Sequence, residues 1–326
     1  MADTLSLARQ LRTSLERQDD AEAERLANSY QSMTNRLEGS IDAFTKDVAN
    51  IDTGQDVTDL ESYDRMMKDV DREMTAYTEY LTAELATLAL LWLTLGVTNS
   101  TLLIQQSGND NGIPIEPVEF DDLLLQQLND YLVPGGALYN RLQEFVSVNV
   151  ERVKQLIFES INLGLNPREL ARVIVAEGLG MGLTDALRMA RTLELYAYRD
   201  ATLANYNQYD VIKGWVWMSA LIPGRTCMSC VNMHGTIHGL DETLNDHHGG
   251  LCAMLPYMGG RNPITQSGED WFNNQDPGTL VKMMGLAKFD AWQQGRFTIS
   301  EVTGVHNDPV YGDMRYERSL KDILGA

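Results

Sequence analysis

Cysteine is scarce in this sequence: there are three in 326 residues, all between positions 227 and 252. An odd count within one short stretch does not build a disulfide framework, and it fits a metal site in a reducing compartment better. Clustered Lys and Arg are also lacking. The chain carries 26 basic against 46 acidic residues, a net charge of −20. That disfavours nucleic acid as a main partner, because phosphate binding needs basic patches. Residues 141–200 come close to charge balance, which leaves a local contact with DNA open. Met1–Gln10 shows no basic start followed by an apolar run, so no secretory signal is expected. Long apolar runs are rare as well. Leu85–Ile104 is uncharged over about the length of a spanning helix, but Gly96, Thr98, Asn99, Ser100 and Thr101 dilute it. It reads as a buried core helix before it reads as a membrane span. No internal repeat or low-complexity tract stands out.

What is present is helical periodicity. Leu26, Tyr30, Met33, Leu37, Ile41, Phe44 and Val48 recur at spacings of four and three, laying one apolar seam along a helix. The stretch from Ile51 to Thr58 interrupts it, and Thr58 or Asp59 can cap a second helix. There Met66, Val70, Met74, Tyr77, Leu81, Leu85 and Leu88 repeat the pattern. The simplest arrangement of two such seams is an antiparallel helical hairpin. Ser107–Pro117 is rich in turn formers. Helical patterns resume over Phe120–Leu132 and Tyr139–Leu163, then from Asn166-Pro167, with Pro at a first helical position, and from Thr184 to about Tyr206.

The period changes to two at Trp215–Met218, which predicts a strand, with Gly235–His238 as its partner. After Pro263 come helical patterns at Gly268–Asn274, Thr279–Gln294 and Ser319–Leu324, separated by irregular stretches. The expected fold is therefore mainly α. A long helical hairpin (1–106) and a helical body (107–210) precede a small β-hairpin with a metal knuckle (211–262) and a helical C-terminal segment (263–326).

Chemistry concentrates in residues 225–256, RTCMSCVNMHGTIHGLDETLNDHHGGLCAMLP. Cys227-x-x-Cys230 presents two thiolates on one side of a tight turn, as a tetrahedral ion requires. His247, His248 and Cys252 follow. Three sulfurs and one imidazole make a closed set typical of structural zinc, with no open position for a catalytic water. The choice between His247 and His248 stays open, and Asp246 can orient the ligating imidazole from behind. A CxxC redox pair lacks a surrounding βαβ pattern. His234 and His238 read as hairpin histidines first and alternative ligands second; His306 receives no role. Asp246–Gly250 superficially resembles an HNH nuclease turn, in which a histidine would be the base beside a single cation. No Asn-and-His pair follows at short spacing.

The order of these features resembles the Mu F-like phage head morphogenesis proteins, the minor head (minor capsid) proteins of tailed bacteriophages. The elements that carry the resemblance are Ala190-Arg191-Thr192, Trp215, Arg225–Cys230, His234-Gly235 and Cys252–Pro256, spread over roughly residues 150–260. Aligned backwards from Pro256, His247 falls on the family histidine and Cys252 on its last cysteine. Gly250 and Leu251 replace a Cys-Arg pair, His248 replaces a Pro, and Leu193 stands where the signature has an acid, with Glu194 one step later. The resemblance implies a structural, non-enzymatic virion component near the portal vertex, inside the capsid and in the host cytoplasm during assembly. It would be present in several copies and act in head assembly and in viral genome packaging or ejection. The implied partners are the portal protein, the major capsid protein or both, with contact to packaged DNA left open and no small-molecule substrate. The alternatives are an HNH-like metal-dependent nuclease and a membrane-active ejection protein using Leu85–Ile104.

Overall fold

The computed structural model describes residues 3–51, 55–118, 135–163 and 165–325. It is mainly helical with small antiparallel sheets. The predicted helical stretch Phe120–Leu132 lies outside the described residues. Two compact units form, each assembled from separated pieces of chain: Asp19–Leu88 with Gln127–Arg191, and Met1–Gln18 with Ala89–Gln126 and Thr192–Ala326.

The first unit is built on the two seams. Helix α1 spans Thr4–Ala49 and α2 spans Glu61–Asn111. Within residues 19–88, Tyr30 meets Tyr77 edge-on at 4.8 Å between ring centroids, and Phe44 meets Tyr63 at 5.8 Å. Arg36 pairs with Glu73 at 2.7 Å and Arg25 with Glu84 at 2.9 Å. Partners that descend on one helix as they ascend on the other define an antiparallel hairpin. Leu26, Met33, Leu37 and Phe44 of one seam, and Met66, Val70, Met74, Leu81 and Leu85 of the other, are fully enclosed. Each such side chain contributes roughly 1.5–3 kcal/mol of apolar burial. Helix α3, Ala137–Asn162, buries Leu138, Leu142, Phe145, Val153 and Ile157.

A short helix α4, Pro167–Val173, begins with an Asn166–Glu169 capping box. It runs through a π-helical turn at Ile174–Leu179 into α5, Gly180–Asn207. The Leu179 carbonyl at the end of this turn accepts the Tyr30 hydroxyl at 2.7 Å. At the start of α5, a Cβ on Gly182 would stand 2.4 Å from that hydroxyl, so only glycine fits. This corrects the expectation of two separate helical patterns, one from Asn166-Pro167 and one from Thr184: the backbone stays helical throughout.

In the second unit, the end of α2 packs on the second half of α5. A Cβ on Gly96 would lie 2.5 Å from the Tyr198 carbonyl, and the Asn205 amide donates to Ser100 Oγ (2.8 Å) and Thr101 Oγ1 (2.9 Å). The polar and small residues that dilute Leu85–Ile104 thus form a helix–helix contact. Helix α2 is long and apolar enough to cross a membrane, and half of its most apolar window is buried within this chain.

Strand β1, Gly214–Met218, is the centre of a three-stranded antiparallel sheet. On one side it pairs with β2, Ile237–His238, as predicted. On the other lies β3, Ala253–Tyr257, in register Trp215↔Pro256 and Trp217↔Met254. The predicted hairpin therefore has a third strand, and β3 follows directly on Cys252. Between β1 and β2 sits a short helix α6, Met228–Met233.

The C-terminal segment holds α7 (Gly268–Asn273), α8 (Pro277–Met284), α9 (Leu286–Gln293) and α10 (Leu320–Leu324). Gly285, at φ +79°, splits the predicted helix Thr279–Gln294 in two. One stretch read as irregular is a β-hairpin, with β4 (Thr303–Asp308) paired to β5 (Gly312–Glu317). Its turn is held by Asp308 Oδ1, which accepts the Val310 and Tyr311 amides at 2.8 and 3.0 Å, and by Gly312 at φ +73°.

Candidate metal centre

Three pieces of chain converge beside the three-stranded sheet. Cys227 caps the N-terminus of α6, its Sγ accepting the Cys230 amide at 3.4 Å. Cys230 lies one turn on and is buried. His247 and Asp246 sit in the loop after β2, and Cys252 immediately precedes β3. The donor atoms of Cys227, Cys230 and His247 lie within 4.8 Å of one another, as do those of Cys230, Asp246 and Cys252. Cys230 belongs to both groups, so five chemically suitable donors share one locus.

The geometry separates the two histidines. The His247 Nδ1 is 3.1 Å from the His248 carbonyl. A carbonyl only accepts, so Nδ1 carries a hydrogen, and Nε2 faces the Cys230 sulfur at 3.5 Å. That is the pattern of a ligating imidazole held from behind by a backbone carbonyl. His248 turns away: its Nε2 pairs with Asp308 Oδ2 at 3.3 Å, and its Nδ1 lies 3.4 Å from Thr192 Oγ1. The expected supporting role of Asp246 behind the imidazole is not what the structure holds, because His248 O occupies that position. His234 is also removed from the cluster. Its Nδ1 accepts the Ser219 amide at 2.9 Å, and burial pushes its pKa down to about 4. His238 stacks on Trp215 at 4.3 Å and faces Glu242. His306 lies on β4.

Two residues that sequence reasoning missed hold the site together. Arg199 of α5 donates through Nε and Nη2 to the Cys252 carbonyl (3.2 and 2.9 Å) and through Nη2 to the Gly250 carbonyl. It also stands 3.6 Å from Asp246 Oδ2. It therefore ties the loop that delivers His247 and Cys252 to α5. The available signal was position: Met189, Leu193, Tyr196, Leu203 and Tyr206 follow the helical repeat, and Arg199 falls in that apolar stripe. Ser219, just after β1, donates its hydroxyl to the Cys230 carbonyl at 2.6 Å and lies 3.4 Å from Cys252 Sγ.

The electrostatics suit a cation. The Cys230 amide and thiol beside Cys227, together with His247, lower the Cys227 pKa to about 5, against the opposing effect of burial. The same thiolate raises His247 to about 10. Cys230 is pushed strongly upward by the sulfurs of Cys227 and Cys252 and by burial. Burial of Asp246 favours its neutral form, but the Arg199 and His247 charges win and hold its carboxyl below the usual range. A metal-free cluster is thus a crowded set of acids sharing few protons, and a divalent ion replaces those protons. Soft sulfurs with one imidazole match zinc. The adjoining recess, lined by Thr192, Arg199, Asp246, His247 and Tyr311 among others, encloses about 10 Å³, room for roughly one water.

No protein-family model, curated protein or solved structure matches this chain.

Proposed function

We propose that Cys227, Cys230, His247 and Cys252 hold one structural zinc ion, and that the chain is a structural minor head protein of a tailed bacteriophage. In this reading it sits inside the capsid near the portal vertex, contacts the portal protein, the major capsid protein or both, and acts in assembly and in genome packaging or ejection. The observation that carries the metal reading is the convergence of three sulfurs and His247 Nε2 from separated segments. The phage reading draws on the order of motifs from Ala190 to Pro256 and on the two long helices, whose outer faces would supply partner surfaces.

The zinc would fasten α6, the loop after β2 and the start of β3 together. The nuclease alternative needs an imidazole nitrogen free to take a proton. His247 has one nitrogen committed to the His248 carbonyl and the other turned toward Cys230, so no observation favours that alternative. Two measurements test the proposal separately. Elemental analysis of the purified chain is expected to give one zinc per chain. A density map of assembled particles is expected to place the chain inside the head at the portal vertex; its absence from the virion would end the phage reading while leaving the metal reading intact.

A further inference from the structure

Asp246 stands on the wrong side of His247 to be a mere support. A carboxylate that orients a ligating histidine from behind accepts the hydrogen of the nitrogen that does not bind metal. Here that nitrogen, Nδ1, is taken by the His248 carbonyl, while Asp246 Oδ1 lies 3.6 Å from Nε2, the nitrogen facing the sulfurs. The same oxygen lies 3.2 Å from Cys230 Sγ, and a carboxylate oxygen of Asp246 lies within 4.8 Å of Cys252 Sγ. Donors bound about 2.0–2.3 Å from one five-coordinate ion, at angles of about 90–120°, stand roughly 2.8–4.0 Å apart. The distances among Asp246 Oδ1, Cys230 Sγ and His247 Nε2 are 3.2, 3.5 and 3.6 Å, which is the spacing of groups around a common ion.

We infer that Asp246 is itself a ligand, through Oδ1, of the ion that Cys227, Cys230, His247 and Cys252 hold. The inference rests on the metal reading above and deepens it. The carboxylate is 1% exposed, and its other oxygen, Oδ2, has no hydrogen-bond partner. Oδ1 accepts the His247 amide at 2.8 Å, which leaves its second lone pair directed at the sulfurs, and a buried carboxylate with one oxygen unpartnered is costly. With Oδ1 on the ion, Oδ2 is left facing Arg199 Nη2, 3.6 Å away. The chain also keeps space for this group: a Cβ at Gly250 would stand 2.1 Å from Oδ2. Three thiolates and a carboxylate leave two negative charges in excess on a divalent ion, and the Arg199 guanidinium offsets one. A sulfur-rich centre with one carboxylate keeps a hard, exchangeable donor that a Cys₃His centre lacks.

Zinc affinity alone cannot decide this, because losing an outer-shell partner also costs about 10–100-fold. The deciding experiment is zinc K-edge X-ray absorption on the full chain loaded with one equivalent of zinc, beside Asp246→Ala. The expected result is three sulfur and two nitrogen-or-oxygen neighbours in the wild type, with one light neighbour lost in the variant. Three sulfurs and a single light neighbour in the wild type would overturn the inference while sustaining the zinc reading. Because the wild-type spectrum decides by itself, a variant that fails to fold does not blunt the test. A wild-type chain that takes up no zinc sinks the metal reading, and Asp246 with it.

Discussion

The stretch from residue 19 to 88 and the stretch from 199 to 257 are held together differently. The first fastens two helices with a stripe of Leu, Met, Tyr and Phe, enclosed and repeated every third or fourth residue. Its energy is spread over many similar contacts, so no single side chain decides whether it forms. The second also has an apolar core, with Trp215, Val216, Trp217 and Leu255 fully enclosed, and adds to it groups that are individually expensive to bury: three thiols, a carboxylate, an imidazole and a guanidinium. There each residue has one task, and losing one leaves its neighbours unsatisfied. Distributed apolar burial tolerates substitution; a convergent polar centre does not.

The largest effect is expected at the point both donor groups share. Cys230→Ser should abolish stoichiometric zinc and raise amide exchange through β1, α6 and β3, while the amides of residues 19–88 keep their protection. Protection of the sheet unchanged in this variant would break the distinction. In the helical hairpin, Leu37→Ala empties a fully enclosed position and should cost about 2–5 kcal/mol in denaturant unfolding, with zinc content intact.

A smaller effect is expected at Gly250→Ala, where the new methyl collides with the Asp246 carboxylate. Zinc affinity should fall, as measured by competition with a chromophoric chelator. Smaller still is His248→Ala. That side chain bonds to Asp308 and not to the cluster, so the zinc stoichiometry should not move.

The metal-free chain should also show a pH window. The folded Cys227 pKa is lowered from 9.0 to about 5. Its contribution is therefore complete above pH 9 and is lost as pH falls toward 5. The His247 pKa is raised from 6.5 to about 10, so its contribution is complete below pH 6.5 and is lost as pH rises toward 10. Together they predict a plateau between about 6.5 and 9, with stability declining on both sides. Denaturant midpoints of metal-free protein across that range check it. Zinc binding displaces the remaining protons, so affinity itself should fall steadily toward acid pH.

How much of this was legible in the sequence differs between the same two regions. The seams were readable residue by residue, because amphipathic spacing is a local signal that burial then enforces. The knuckle Cys227-x-x-Cys230 and the pairing of β1 with β2 were readable for the same reason. The rest depends on the approach of distant segments. The His248 carbonyl behind His247, the position of Asp246 among the sulfurs and the reach of Arg199 from α5 leave no periodic trace. The hairpin β4–β5 was missed because β4 is largely exposed and lacks a two-residue apolar alternation. Only Asp308-Pro309 and Gly312 marked its turn, and they read equally well as an irregular stretch.

The most direct test of the central claim is to strip and restore metal while following amide exchange across the whole chain. One zinc should leave with a strong chelator, the protection of residues 214–257 should collapse while that of residues 19–88 persists, and one equivalent of zinc should restore it. A chain that carries no zinc as purified, and whose sheet stays equally protected with and without added zinc, would contradict the account.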